Sequence, residues 1–91
     1  MDEIDKLIRE LRNDGRVRKT RFSNRFVNTI GEVYEKYGYG ATRALLLDKL
    51  DDRRARFEAQ TLLEVLDKVD EKNLPSSIGG FIIRKITTLR G

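Results

Sequence analysis

Apolar residues recur at Ile4, Leu7, Ile8 and Leu11, the i, i+3, i+4, i+7 spacing that gathers side chains on one face of an α-helix. Asp2, Glu3 and Asp5 stand where the positive end of that helix favours acids, so a helix is predicted over residues 2–13. Asn13, Asp14 and Gly15 should end it, with Gly15 in the left-handed position that follows many helices. Ser23 is placed to cap a second helix that starts at Asn24, and Phe22 and Val27 occupy the two positions of a hydrophobic staple. Phe26, Ile30, Val33 and Tyr37, flanked by Val27 and Tyr34, form a broad stripe that reaches Gly38. Gly38, Tyr39 and Gly40 then read as a turn.

A third helix follows from Ala41 or Thr42 to Leu50, and Leu45, Leu46, Leu47 and Leu50 are too many for one narrow seam, which predicts burial on more than one side. Asp51 or Asp52 can cap a fourth helix holding Phe57, Leu62, Leu63, Leu66 and Val69. A single helix from Thr42 to Lys72 is the alternative. Asn73, Leu74 and Pro75 stop the pattern, Ser76 offers another cap, and Ile78, Phe81, Ile82, Ile86 and Leu89 give the last helix its spacing. Gly79 and Gly80 should soften its first turn.

These elements predict an all-α fold in one domain spanning residues 1–91, a compact bundle of four to five short helices containing a helix-turn-helix-like pair. A ribbon-helix-helix dimer with a short strand over residues 17–22 is the competing layout, since strand, Ser23 cap, helix, Gly-Tyr-Gly turn and helix come in the required order. Its weakness is the face formed by Arg18, Thr20 and Phe22, where a buried strand should be apolar. With only 91 residues the core is small, so help from a partner or a second copy is in keeping with the chain's size.

Composition narrows the chemistry. The chain has no Cys and no His, which removes disulfides, thiolate nucleophiles, the usual zinc and haem ligands and the commonest acid–base residue at neutral pH. Asp51-Asp52 and Asp70-Glu71 are adjacent in sequence and diverge on a helix, and Gly38-x-Gly40 and Gly79-Gly80 match neither a P-loop nor a dinucleotide fingerprint. The expectation is a non-enzymatic protein without cofactor, metal or small-molecule substrate. No apolar run approaches the ~20 residues that span a bilayer, and the start of the chain is unlike a secretory signal, so a cytoplasmic location is expected.

The formal charge is +4, and it is unevenly placed: residues 16–31 carry +5 and no acid. Arg16, Arg18, Lys19, Arg21 and Arg25 fall within ten residues, and guanidinium groups bind phosphate through paired hydrogen bonds. Ser23, Asn24 and the free amides of the helix they begin are candidates for further phosphate contacts. In the helix-turn-helix layout Thr42 and Arg43 would enter the major groove, with Arg43 reading guanine edges, although Leu45, Leu46 and Leu47 leave little polar face for it. Arg53, Arg54 and Arg56, and Arg84, Lys85 and Arg90, are secondary basic clusters that a solvated surface also accounts for. Tyr34 and Tyr37 belong to the apolar stripe, which leaves Tyr39 as the tyrosine expected to be exposed.

Two functions fit this pattern. One is nucleic-acid binding, with DNA favoured over RNA, in transcription or replication control. The other is a protein-interaction module, an adaptor, loader or inhibitor, docking through Tyr39 and the last helix at Ile78, Phe81 and Ile83, where Ile83 lies outside the main stripe. Either is compatible with a homodimer.

Overall fold

The computed structural model describes residues 3–88, with side chains for residues 3–86. Among them the chain forms five helices and no strand: α1 (Glu3–Asn13), α2 (Gly15–Lys19), α3 (Asn24–Lys49), α4 (Arg56–Glu71) and α5 (Ser76–Thr88). The expected all-α bundle is therefore present as one compact unit. Asp2, Leu89 and Arg90 lie outside the described residues.

The strand reading of residues 17–22 does not hold. Asp14 caps a short helix by accepting hydrogen bonds from the amides of Arg16 at 2.8 Å and Val17 at 3.3 Å, and Val17 is buried in the core. Gly15 consequently starts α2 instead of ending α1, with no positive φ. After α2 the backbone becomes extended at Thr20. Ser23 does cap α3, accepting from the Phe26 amide at 3.3 Å, while Phe22 packs on the core that Val27 enters.

The Gly38-Tyr39-Gly40 turn contracts to one residue. Gly38 alone leaves helical geometry, at φ 89° and ψ −174°, a region essentially reserved for glycine, and Tyr39 already lies in the next limb of α3. Thr42 is fully buried and donates its hydroxyl to the Gly38 carbonyl at 2.8 Å, so it closes the kink and is not available to a groove. Leu46 is buried, whereas Leu47 is 43% exposed, so the leucine run packs mainly on one side. The third and fourth helices are separate, and α4 begins after Ala55, later than either aspartate cap would place it. Asn73, with φ 60°, ends α4 in the left-handed conformation. Ser76 is the first residue of α5 and not its cap.

α3 packs most extensively on α5 and next on α4, and α1 lies against α5 and α2. The α3–α5 crossing is built on glycine. A Cβ at Gly80 would stand 2.6 Å from the Gly31 carbonyl oxygen, and one at Gly31 would stand 2.8 Å from Arg84 Cγ. Gly79 lies against the Tyr34 ring. The two glycines of α5 thus permit close backbone approach, where sequence pattern suggested only a soft turn. They also rotate the helix: Ile82, Ile83 and Ile86 are buried, and Phe81 faces out.

Candidate nucleic-acid interface

The basic segment is fastened along one face of α4. Lys68 Nζ binds Asp14 Oδ2 at 3.0 Å, Arg16 pairs with Glu64, Thr20 Oγ1 meets Thr61 Oγ1 at 2.9 Å, and the Ser23 amide donates to Glu58 Oε2 at 2.7 Å. Positions 58, 61, 64 and 68 share one helical face, and they take residues 23, 20, 16 and 14 in reverse order. Thr20 gives its only hydroxyl proton to the Arg16 carbonyl at 2.8 Å, so Thr61 is the donor in the threonine pair. The Lys68 hydrogen bond is the main reason the Asp14 carboxyl lies below the ordinary aspartate range.

What this fastening leaves outside is a set of cations. Arg18, Lys19, Arg21 and Arg25 are exposed, and none forms an ion pair among the described residues. Of the five cations of this segment, Arg16 is the one that a carboxylate neutralises among the described residues, and that carboxylate belongs to α4. Ser23 and Asn24 are exposed as well, but the Ser23 hydroxyl serves the Phe26 amide and its own amide serves Glu58. The side chain of Glu58 therefore already takes an amide at the start of α3 that was expected to meet phosphate.

Between this segment and the start of α4 lies an open cleft of about 650 Å³, lined by Arg16, Lys19, Thr20, Arg21, Arg54, Phe57, Glu58, Gln60 and Thr61. Four cations and one carboxylate face it, and Phe57 on its wall is 73% exposed. Arg54 is the member that sequence reading assigned to a solvated surface, and the loop before α4 brings it to the predicted basic segment. The sequence pattern groups Phe57 with the apolar residues of the fourth helix, and the structure sets it apart from their buried stripe. The sequence carries a signal for its exposure: three and seven residues on stand the polar, exposed Gln60 and Glu64, while the buried stripe runs through Ala59, Leu62, Leu66 and Val69.

The other predicted residues are not gathered here. Arg43 is exposed, but its Nε lies 3.8 Å from Asp67, which also accepts a 2.5 Å hydrogen bond from the Tyr39 hydroxyl. That bond to a carboxylate is the chief cause of the raised Tyr39 pKa. Tyr39 is thus half-buried and tethered, and Tyr37, on the edge of its helical stripe, is the exposed tyrosine at 73%. Of the predicted docking residues, Ile83 is fully buried, Ile78 half-buried, and Phe81 is exposed beneath Lys85, whose Nζ lies 5.4 Å from the ring centre. Among the described residues no helix is long and apolar enough to cross a membrane.

The chain matches no protein-family model, no curated protein and no solved structure, so the chemistry of the cleft and its cations carries the functional reading.

Proposed function

We propose that this is a small non-enzymatic nucleic-acid-binding protein, of the kind that serves transcription or replication control on DNA, which grips phosphates through Arg18, Lys19, Arg21 and Arg25. The observation that carries the reading is that, among the described residues, those four exposed side chains have no carboxylate partner, on a segment otherwise pinned to α4. A folded chain with 15 acids has the means to neutralise such a cluster. Here the nearby carboxylates Asp14, Glu58 and Glu64 instead hold backbone amides, Lys68 and Arg16. Arg25 also lies in the first turn of α3, which contains no acid, and a cation there opposes the helix dipole at a cost of about 0.3–1 kcal/mol. Local electrostatics that is left unfavourable in the free protein is relieved when a polyanion arrives.

Fluorescence anisotropy with labelled 20-mer DNA, duplex and single-stranded, at 50 and 200 mM salt tests the proposal. Binding at low salt that weakens steeply at high salt is expected, and Arg18→Ala, Lys19→Ala and Arg21→Ala together should remove most of it. No binding of either form at 50 mM salt overturns the proposal.

A further inference from the structure

We infer that the cleft between the basic segment and α4 accepts single-stranded nucleic acid, with Phe57 stacking on an unpaired base while Lys19, Arg21 and Arg54 hold the adjoining phosphates. The inference rests on the nucleic-acid reading above and specifies its substrate. Phosphate binding alone requires no aromatic group, yet the most exposed phenylalanine of the described residues lies on the wall of a cleft lined by four cations. A base offers its face to such a ring only when it is out of a double helix, since a duplex stacks its bases on one another. The volume, about 650 Å³, is that of a site for one ligand-sized group and suits a base with its phosphate.

The walls differ in a way that suits this occupant. One side carries Lys19 and Arg21 from the α2 segment, the other carries Arg54 and Phe57 from the start of α4, and the Thr20–Thr61 hydrogen bond holds the two sides together. A strand laid in the cleft has cations on both flanks and a ring within it. Gln60, exposed on the same wall, offers an amide with both donor and acceptor to a base edge. Every base has a π face, so stacking on Phe57 gives affinity with little sequence preference. The same chemistry takes DNA or RNA strands, and the test separates them.

The experiment compares fluorescein-labelled dT20, rU20, an abasic 20-mer of equal charge and a 20-base-pair duplex, each titrated with wild-type protein, Phe57→Ala and Phe57→Trp. The expected result is at least tenfold tighter binding of dT20 or rU20 than of duplex and abasic strand, with their ranking identifying the preferred sugar. Phe57→Ala should lose about tenfold on the single strands, the scale of one stacked base, and under twofold on duplex. The chain has no tryptophan, so Phe57→Trp supplies a single emitter at this wall, whose fluorescence should be quenched on binding with affinity retained. Equal binding of duplex and single strand, with Phe57→Ala unaffected and the Phe57→Trp signal unchanged, overturns the single-strand inference and leaves phosphate binding standing. Failure of all four ligands to bind overturns both.

Discussion

Glu58 is the residue at which folding and ligand binding compete. Its carboxylate accepts the Ser23 amide at 2.7 Å and so helps to seat the start of α3, but it is also the one negative group on the cleft. Glu58→Gln keeps an acceptor oxygen for that amide and removes the charge. A unit charge ~8 Å from a phosphate in water is worth about 0.5 kcal/mol, so oligonucleotide affinity should rise two- to threefold at low salt with little change in thermal stability. Weaker binding by a well-folded Glu58→Gln protein would show that the carboxylate organises the site more than it repels. Phe57 and Tyr37 belong to the same scale. The buried face of α3 is centred on Val27, Ile30 and Tyr34, which leaves Tyr37 at its edge, and that of α4 on Leu62, Val65 and Leu66, which leaves Phe57 on the far side; the exposure of each follows from that angle.

At the scale of elements, two devices position everything else: the row of contacts from residues 14, 16, 20 and 23 to α4, and the glycine contact between α3 and α5. The second makes opposite predictions for two similar changes. Gly80→Ala forces a methyl group against the Gly31 carbonyl and the Glu35 side chain and should cost about 1–3 kcal/mol, the range for overpacked cores. Gly40→Ala adds a methyl group with nothing within 4 Å in the second limb of α3, and should stabilise by about 0.5–1 kcal/mol through helix propensity. Urea unfolding midpoints decide both, and a harmless Gly80→Ala would contradict the close crossing. The local elements were legible because they rest on local signals: the spacing of Leu7, Ile8 and Leu11, the Ser23 cap and the Asn73-Leu74-Pro75 stop all reappear. The helical state of residues 15–19 is hidden from local pattern because Asp14, which suits the end of α1, uses its side chain to cap α2. The rotation of α5 was missed because glycine carries no hydrophobic weight, although Gly79 and Gly80 mark the face that touches α3.

Across the whole molecule, the Cα radius of gyration is 11.8 Å, close to the roughly 12 Å expected of a compact domain this long. Among the described residues sixteen hydrophobic side chains are buried in a common core, and Ile83, a residue expected to dock a partner, is one of them. Two ion pairs tie distant parts of the chain together, Arg84 with Glu35 and Lys68 with Asp14, and both carboxyls are held below their ordinary range by those partners. A depressed folded-state pKa contributes stability above the unfolded value and loses it as pH falls through the folded one. Urea midpoints should therefore hold between pH 7 and 5 and decline below about pH 4, with Glu35→Gln giving a shallower acid limb. A wild-type midpoint unchanged at pH 3 would contradict that linkage. What no local pattern carried was the meeting of Arg54 and Phe57 with the α2 segment, because it depends on how residues 50–55 return the chain to residues 16–21.

The most direct measurement is the slope of log affinity against log salt for a 20-base single strand, taken with wild-type protein and with the Arg18→Ala, Lys19→Ala, Arg21→Ala variant. If these side chains hold phosphates, the variant's slope should be shallower by about 2 units, at ~0.7 per phosphate released on a single strand. A variant that keeps the wild-type slope would show that the phosphates are held elsewhere, and the assignment of this segment would be wrong.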